Sequence, residues 1–311
     1  MNESRVDVVT GGFSYTGRFI ARRLLADGRR VRTLTNHSNR PGTDDLQAEL
    51  EVEPLQFDDR KRLATALRGA STLYNTYWVR FPHAGLDFDR AVANTRVLMQ
   101  AAVEAGIRKV VHISVSNPTL ESPLPYYAGK ARTEEVVKES GLPWAIVRPT
   151  LVFGPGDILI NNIAWALRRM PVFGMPGLGL YRVQPVSAED VAEIAVSAAS
   201  HEENTTVDAA GPDTVTFAEL VDEISIAVHR RPRFVYLTPG LFMPAIKVVG
   251  LFKRDTVLTR EEVDGLMAEL LVSAEAPLGT TRFDDWLLQN AETLGLQYMS
   301  ELDRHFRKSA P

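Results

Sequence analysis

Residues 10–17 read Thr-Gly-Gly-Phe-Ser-Tyr-Thr-Gly, and this stretch decides the fold of the N-terminal half. It follows a mostly apolar run at residues 6–9 and leads into residues 16–26, where apolar side chains recur at helical spacing. An apolar run, a glycine-rich turn and an amphipathic segment in this order predict a strand, a tight turn and a helix. The order therefore predicts the first βα unit of a parallel sheet.

The glycines of this turn are spaced much as in turns that bind the pyrophosphate of a dinucleotide. Gly11 and Gly17 fill the outer positions, while Ser14 occupies the position of the middle glycine. The N–H groups that open the following helix attract anions, and the Ser14 hydroxyl can donate to a phosphate oxygen. The alternative is an ordinary connecting loop. The cofactor contacts predicted from the turn are Gly11, Phe13, Ser14, Tyr15, Thr16 and Gly17.

Strand-like runs recur after the turn, at residues 31–34, 51–57, 72–76, 109–115 and 144–148, with helical segments between them. This alternation predicts an α/β fold with a doubly wound parallel sheet of the Rossmann kind. After residue 153 proline and glycine become dense and the alternation stops. We therefore predict a Rossmann domain at residues 1–155, with 183–210 returning to it. Residues 156–182 and 211–311 are predicted to form a smaller, mainly helical substrate-binding region.

Composition excludes several classes of function. The 311 residues carry a net charge of −4, so the chain as a whole has no basic field for nucleic acid or an anionic membrane. There are no cysteines, which excludes disulfides and thiolate metal sites. The longest apolar stretch is too short to span a bilayer, no signal segment is visible, and no residue cluster has metal-ligand spacing. These features favour a cytoplasmic protein without a metal, acting on a small molecule.

The loop after the second strand bears on the choice of cofactor. It reads Thr-Asn-His-Ser-Asn-Arg at residues 35–40, without the carboxylate that binds the ribose diol of NAD. Arg18 and Arg40 are candidates for the 2′-phosphate of NADP, and Asn36 and Arg40 are predicted cofactor contacts. NADP is thus the predicted cofactor, NAD is the alternative, and an ordinary solvated loop is the competing interpretation. After the third strand, either Asp58 or Asp59 can accept from the adenine amino group or cap the next helix.

The predicted chemical centre lies in Tyr-Tyr-Ala-Gly-Lys at residues 126–130. Tyr126 and Lys130 are four residues apart, so a helix presents them on one face, and the ammonium lowers the pKa of the phenol. Ser116 follows the strand at residues 109–115 and would emerge where open α/β sheets bind ligands. Ser114 is expected to bond to local backbone instead, and His112, on the same buried strand, is expected to be a core residue.

These residues resemble the extended short-chain dehydrogenases/reductases, the NAD-dependent epimerase/dehydratase superfamily, over nearly the whole chain. The resemblance rests on the glycine turn, Asp58, Asn94, Ser116, the Tyr126-x-x-x-Lys130 spacing and the run Arg-Pro-Thr-Leu-Val-Phe-Gly-Pro at residues 148–155. It implies that Ser116, Tyr126 and Lys130 are catalytic and that Lys130 also holds the nicotinamide ribose. It further implies that Asp58, Thr76, Tyr77, Pro149 and Val152 contact the cofactor.

Two departures narrow the resemblance. The bulky Thr76, Tyr77 and Trp78 replace the small residues that usually end the fourth strand, and Ser116 lacks the acidic pair that dehydratases place after it. Elimination of water from a sugar nucleotide is therefore disfavoured, and the chain is most similar to the atypical branch that contains the complex I accessory subunits. The residues predicted to contact a fairly apolar substrate are Trp78, Arg80, Phe153 and Gln184.

The predicted function is that of an NAD(P)-dependent oxidoreductase, which interconverts a carbonyl and an alcohol through Ser116, Tyr126 and Lys130. Two alternatives stay open: a cofactor-binding sensor or structural subunit without turnover, and a nucleotide-sugar epimerase. The helices predicted at residues 88–105 and 126–140 suggest a homodimer, as in the family that the chain resembles.

Overall fold

The computed structural model describes residues 6–38 and 40–306, which divide into two compact units. The first unit contains the described residues up to Pro149 together with Ala188–Ala209, and the second contains Thr150–Ser187 and the described residues from Ala210 onward. The sequence placed the return segment at 183–210. The substrate-binding role that it assigned to the C-terminal region stays a prediction.

The strands and helices of both units are numbered in chain order, and in the first unit they alternate. The strands of the chain are β1 (Val6–Thr10), β2 (Arg30–Leu34), β3 (Glu51–Glu53), β4 (Ala70–Asn75), β5 (Lys109–Ile113), β6 (Trp144–Pro149), β7 (Leu151–Phe153), β8 (Val172–Pro176), β9 (Arg182–Val183), β10 (Pro185–Ser187), β11 (Thr205–Ala209), β12 (Val215–Thr216) and β13 (Arg233–Leu237). The helices are α1 (Tyr15–Ala26), α2 (Asp44–Gln47), α3 (Arg60–Leu67), α4 (Phe88–Ala105), α5 (Pro125–Lys138), α6 (Ile158–Arg169), α7 (Ala188–Ala198), α8 (Phe217–Ala227), α9 (Pro239–Lys253), α10 (Arg260–Met267), α11 (Phe283–Asn290) and α12 (Glu301–Phe306).

The first unit contains a seven-stranded sheet in the order β11-β6-β5-β4-β1-β2-β3, and every adjacent pair is parallel. Helix α1 packs against α7, and α4 packs between α3 and α5. The predicted doubly wound parallel sheet is confirmed. Because β1 has β2 on one side and β4 on the other, the chain order reverses between β1 and β4. In open α/β sheets, ligands bind at the carboxyl ends of the strands beside such a reversal.

Local sequence signals account for the helix boundaries. An aspartate at the N-cap begins each of α3, α4 and α6, where Asp59, Asp87 and Asp157 accept a backbone N–H three residues later. Helix α4 has the range that the sequence predicts, residues 88–105. The third strand is shorter than its predicted range of residues 51–57 because Pro54, which has no N–H to donate, follows its last residue.

The second unit is mainly helical and holds three small strand pairs. Strands β7 and β10 are parallel, as are β8 and β13, while β9 and β12 are antiparallel. Its core contains buried aliphatic and aromatic side chains of β7, α8 and α11, among them Phe153, Leu220, Ile224, Phe283 and Trp286. Within the described part of the chain, no helix combines the length and the apolarity needed to cross a membrane.

Candidate functional site

The glycine turn between β1 and α1 closes so tightly that side chains cannot enter it. A Cβ built on Gly17 would lie 2.1 Å from the carbonyl oxygen of Gly11, and Gly11 has a φ of +64°. Gly12, which the sequence reading passed over, is equally constrained, since its Cβ would lie 2.8 Å from Thr33 Oγ1. The Gly12 N–H also donates to Thr33 Oγ1 at 2.7 Å. The two adjacent glycines at positions 11 and 12 were the sequence signal that could have predicted this constraint.

Helix α1 begins at this turn without a side-chain cap. Ser14 is its N-cap residue and makes no capping hydrogen bond from its side chain. The Ser14 Oγ instead lies 3.0 Å from the Cβ positions built on Gly11 and Gly17, so the hydroxyl is beside the turn. A backbone cradle that a Cβ would fill, at the uncapped positive end of a helix, fits the pyrophosphate of a dinucleotide.

Three further turn residues were predicted to contact the cofactor. Phe13 is buried, and Tyr15 and Thr16 are half-buried. The Tyr15 ring packs edge-on against Phe19 with the centroids 5.7 Å apart. Their roles toward the cofactor stay predictions.

The carboxyl ends of β1 and β4 are held together by Thr10, which sequence reasoning missed. Its hydroxyl oxygen accepts the N–H groups of Thr76 at 2.8 Å and Tyr77 at 3.2 Å, and the Thr76 hydroxyl donates to the Thr10 carbonyl. The Tyr77 hydroxyl accepts from Asn94 Nδ2 at 2.7 Å. Thr76 and Tyr77, both predicted cofactor contacts, are therefore fixed where the strand order reverses.

The loop after β2 holds Asn36 in a structural role. Its Nδ2 donates to the Leu55 carbonyl at 2.8 Å, and its Oδ1 accepts the Leu55 N–H at 3.1 Å. The side-chain amide thus joins the loops that follow β2 and β3, and its predicted cofactor contact gains no support from this geometry. Arg40 is half-buried in the same loop.

Arg18 reaches this loop from α1. Its guanidinium lies 5.3 Å from the ring centroid of Tyr15 and 5.0 Å from that of Phe19. One terminal nitrogen comes within 3.9 Å of a Cβ built on Gly42, in the loop that follows β2. The two rings therefore hold a cation next to the segment that the sequence associates with the ribose of the cofactor.

The structure separates the two aspartates after β3. Asp59 caps α3, because its carboxylate accepts the Arg62 N–H at 3.0 Å. Asp58 is exposed and takes no part in that cap. Of the two, Asp58 is thus the one that fits the predicted contact with the adenine.

Two contacts fix the direction of α5 on β5. Lys130 is 4% exposed, and its Nζ donates to the Ile113 carbonyl at 3.0 Å. One residue earlier on β5, the His112 Nε2 lies 3.2 Å from Thr133 Oγ1. The helix therefore runs antiparallel to the strand, and Tyr126, one turn before Lys130, lies toward the end at which β5 leads into the Ser116 segment.

The predicted catalytic residues belong to this end of the first unit. Ser116 is fully buried, and its N–H donates to the Pro149 carbonyl at 2.9 Å. Tyr126 is half-buried, whereas its neighbour Tyr127 is only 5% exposed. Of the two phenols, Tyr126 is the more accessible to a substrate.

Trp78 covers Lys130. The Lys130 Nζ lies 4.9 Å from the centroid of the indole, which stacks on Phe88 at 5.6 Å and meets Tyr126 edge-on at 5.9 Å. A Cβ on Gly129 would lie 2.8 Å from the indole, so this glycine admits the ring. The Trp78 Nε1 is buried and has no hydrogen-bond partner among the described residues.

Burial lowers the pKa of Lys130 to about 7, although the nearby Glu134 opposes this shift. The Glu134 carboxylate accepts from Arg148 at 2.9 and 2.6 Å and from the Ser114 hydroxyl at 2.6 Å. The expected backbone bond of Ser114 is thus replaced by a bond to a carboxylate. Glu134 lies one helical turn beyond Lys130, a spacing that was visible in the sequence.

His112 is a core residue, as expected. It is fully buried, and burial lowers its pKa to about 3, so the imidazole is neutral. Its Nδ1 accepts from Asn75 Nδ2 at 3.0 Å, while its Nε2 donates to Thr133, whose own hydroxyl hydrogen goes to the Lys130 carbonyl at 2.7 Å. Asn75 Oδ1 in turn accepts from the Thr10 hydroxyl at 3.2 Å. Hydrogen bonds between four side chains thus connect the end of β1 to α5, and these are Thr10, Asn75, His112 and Thr133.

The second unit holds three of the predicted site residues. Phe153 is fully buried between Phe283 and Trp286, at centroid distances of 5.0 and 5.3 Å. Gln184 is 4% exposed; its amide donates to the Gly211 carbonyl at 2.8 Å and accepts the Ser273 N–H at 2.9 Å. These are the surroundings of core residues, so the predicted substrate contacts of Phe153 and Gln184 gain no support from them.

Two other predicted contacts lie on partly accessible surfaces. Val152 is half-buried on β7, paired with Val186. In the first unit, Arg80 is half-buried, with its guanidinium 6.0 Å from the ring centroid of Phe81. The cofactor role of Val152 and the substrate role of Arg80 stay predictions.

Comparison with known proteins agrees with this geometry. The family described as NAD(P)H-binding matches residues 11–202. The 40 kDa subunit of NADH-ubiquinone oxidoreductase from Neurospora crassa is 25% identical over 278 residues, which cover 86% of this chain and 72% of that protein. A (4-alkanoyl-5-oxo-2,5-dihydrofuran-3-yl)methyl phosphate reductase from Streptomyces griseus is 30% identical over 241 residues, covering 73% of this chain and 75% of its own.

Among solved structures, the triphenylmethane reductase of Citrobacter sp. complexed with NADP(H) shares the fold with a TM-score of 0.75. It is 18% identical, and the match covers 92% of this chain and 99% of that one. The resemblance proposed from the motifs is confirmed, and so is an NAD(P) cofactor. The chain belongs to the NAD(P)H-binding family, within the extended short-chain dehydrogenase/reductase superfamily of NAD-dependent epimerases and dehydratases.

Proposed function

We propose that the protein is an NADP-dependent oxidoreductase that interconverts a carbonyl and an alcohol on a small, largely apolar substrate. The observation that carries this proposal is the bond from Lys130 Nζ to the Ile113 carbonyl at 3.0 Å. It ties the face of α5 that bears Tyr126 and Lys130 to the end of β5, which leads into Ser116. A phenol, an ammonium and a hydroxyl are thereby carried by adjacent elements of one unit.

Each of the three side chains, Tyr126, Ser116 and Lys130, has its own role in the proposed reaction. The bound nicotinamide supplies or accepts the hydride. In the reductive direction, the Tyr126 hydroxyl donates the proton that the new alcohol oxygen requires, and Ser116 orients that oxygen by donating a hydrogen bond. Protonated Lys130 stabilises the phenolate that remains on Tyr126. The reverse reaction uses the same groups with the proton returning to Tyr126.

Aromatic side chains around Lys130 support an apolar substrate. Trp78, Phe88 and Tyr126 form one packed cluster with Val79. The Nε1 of Trp78 is a donor buried in this cluster that no described residue uses. Pockets for small molecules are commonly of this kind, mostly apolar with few polar groups that fix orientation.

The choice of NADP rests on Arg18. A guanidinium held against two rings beside the loop after β2 is suited to the 2′-phosphate, because arginine binds phosphate through two parallel donors. The same loop has no carboxylate for a ribose diol. The Citrobacter reductase that shares this fold was solved with NADP(H), which is consistent with the proposal.

Replacement of Tyr126 by Phe tests the proposed mechanism. Turnover of a panel of aromatic and aliphatic carbonyl compounds with NADPH should fall by about a thousandfold, because the proton donor is lost. NADPH affinity, measured by fluorescence titration, should be unchanged. Tyr127→Phe is the matched control, since Tyr127 is the buried neighbour and should keep turnover. Full activity of Tyr126→Phe would overturn the mechanism.

A cofactor-binding protein without turnover is the second candidate. The indole of Trp78 over Lys130 favours it, because the ring crowds the ammonium that the reaction requires. The name of the Neurospora relative, a subunit of a respiratory complex, points the same way. Tight NADPH binding without turnover of any carbonyl compound or nucleotide sugar would support this function and exclude both the reductase and the epimerase. The cytoplasmic location and the homodimer stay predictions of the sequence.

A further inference from the structure

Helix α9 in the second unit has two apolar faces. One face is buried: Phe242, Met243 and Ile246 pack into a cluster with Val263 of α10. The end of the helix is anchored by Lys253, whose Nζ lies 4.2 Å from the ring centroid of Trp165. The buried face and the anchored end fix the orientation of the helix on the second unit.

The opposite face of α9 is apolar and exposed. Leu241, Val248, Leu251 and Phe252 are 64%, 54%, 78% and 84% exposed. With 3.6 residues per turn, these side chains and Ala245 fall within an arc of about 120°. Leu251 and Phe252 are the two most exposed large hydrophobic side chains in the described part of the chain. An exposed apolar face of this kind marks an interaction surface.

The charges of the segment that contains α9 are of one sign. Residues 225–254 contain no aspartate or glutamate, although the whole chain has a net charge of −4. The basic residues of this segment, apart from histidine, are Arg230, Arg231, Arg233, Lys247, Lys253 and Arg254. On α9 itself, exposed Lys247 borders the apolar arc, and exposed Arg254 caps the helix.

Three of the acidic residues that follow α9 in the chain accept hydrogen bonds within the second unit. Asp255 accepts the Tyr298 hydroxyl at 2.7 Å and the N–H groups of Glu301 and Leu302 at 3.0 Å each. On α10, which packs against the buried face, Asp264 pairs with Arg260 at 2.8 Å. Glu262 of α10 accepts the backbone N–H of Thr259, the N-cap residue, at 2.8 Å. The exposed face of α9 therefore consists of apolar side chains, with Lys247 and Arg254 at its border and no acidic residue on the helix itself.

We propose that α9 docks the protein on an anionic lipid bilayer, lying in the plane of the interface. Its 15 residues would extend roughly 22 Å, less than the hydrocarbon core, so the helix rests on the membrane and does not cross it. Leu241, Val248, Leu251 and Phe252 enter the boundary between headgroups and acyl chains. Lys247 and Arg254 meet the lipid phosphates. An apolar face bordered by lysine and arginine fits the boundary between acyl chains and anionic headgroups.

Vesicle binding of the full chain tests this proposal. The protein should sediment with phosphatidylcholine vesicles that contain phosphatidylglycerol, and about tenfold less with phosphatidylcholine alone or at high salt. The double variant Leu251→Glu/Phe252→Glu should reduce binding to anionic vesicles by at least about tenfold, since two apolar anchors are lost. Leu288→Glu is the matched control, because Leu288 is 73% exposed on α11 and should be replaceable without effect.

A tryptophan at the tip of the face gives an independent measurement. Phe252→Trp should add emission that shifts to shorter wavelength with anionic vesicles and is quenched by brominated lipids. Equal binding to neutral and anionic vesicles, or unchanged binding of the double glutamate variant, would overturn the proposal. Self-association that the double variant abolishes, without vesicle binding by the parent protein, would also overturn it and assign the face to a second copy of the chain.

Discussion

The ammonium of Lys130 lies 4.9 Å from the centre of the indole of Trp78, over its face. This ring excludes water from the lysine and also attracts its charged form. Burial is the larger influence on the pKa, which is lowered from 10.5 to about 7. Removal of the indole by Trp78→Ala should therefore raise the pKa of Lys130 toward 10.5. An NMR titration of isotopically methylated lysines measures this shift.

The control for this change keeps an aromatic ring at position 78. Trp78→Phe should leave the pKa of Lys130 close to that of the parent protein. A pKa that falls in Trp78→Ala would mean that attraction to the ring outweighs burial, contrary to the cause assigned here.

Lys130 should also make stability depend on pH. The folded chain releases the Lys130 proton near pH 7, while the unfolded chain keeps it until about 10.5, so the unfolded chain binds more protons in this window. Stability therefore increases as pH rises from 7 toward 10.5, and the gain is lost as pH falls through 7. Urea unfolding at pH 6.5 and 9.5, compared with Lys130→Met, isolates this contribution. A difference between the two proteins that is independent of pH would contradict it.

Gly17→Ala should damage the cofactor turn, since the added Cβ would lie 2.1 Å from the Gly11 carbonyl oxygen. We expect a loss of about 3 kcal/mol in the free energy of unfolding, because backbone must shift to make room. NADPH binding should weaken in the same variant. Gly240→Ala is the control: nothing lies within 4 Å of its built Cβ, and its stability should change by less than about 1 kcal/mol.

Substitutions of Ser14 separate the phosphate site from the helix start. Ser14→Asp should weaken NADPH binding by more than about tenfold, because a carboxylate caps the N–H groups and repels the pyrophosphate. The same change should stabilise the cofactor-free protein by about 1 kcal/mol. Ser14→Gly should keep NADPH affinity within about threefold, since the turn belongs to glycines and backbone. Calorimetry of both variants measures the two effects, and a tighter complex with Ser14→Asp would exclude a phosphate at this helix.

Arg18 should distinguish the two nicotinamide cofactors. Arg18→Ala should reduce affinity for NADPH by about tenfold or more, as expected for a lost charge-assisted bond, and should leave affinity for NADH nearly unchanged. Arg22→Ala is the control on the same helix, because Arg22 pairs with Asp45 at 2.7 Å. Equal losses for both cofactors in Arg18→Ala would assign this arginine to the helix structure.

Local signals made much of the fold predictable. Asp59, one of the two aspartates considered as a cap, lies beside the helix that it begins, and α4 has the range predicted from the sequence, residues 88–105. The parallel pairing of β8 with β13 joins segments some sixty residues apart, and neither strand alternates strongly enough to reveal its partner. Such pairs depend on the packing of the second unit, so a short stretch of sequence does not predict them.

The candidate site also has parts that the local sequence predicts and parts that depend on tertiary packing. The spacing of Tyr126 and Lys130 predicted from the sequence that they share one face of a helix. The glycine turn was predictable from its own residues. The cover of Lys130 by Trp78 depends on the path of a loop and on the absence of a side chain at Gly129, so it became visible only in three dimensions. The bonds of the Asn36 amide to Leu55, on a neighbouring loop, were hidden from the sequence for a related reason, and its predicted cofactor contact stays a prediction.

The hydrogen-bonded chain from Thr10 through Asn75 and His112 to α5 changes how an alanine scan of this protein should be interpreted. A histidine beside a proposed active site is the first choice for a general base, and His112→Ala is expected to slow the proposed reaction. The loss would not come from proton transfer. The imidazole is a spacer that sets the distance between the strand that leads into the cofactor turn and the helix that carries Lys130, and alanine would not hold that distance. Weakened NADPH binding alongside slowed turnover is the signature of a lost spacer, whereas a lost base would spare the binding.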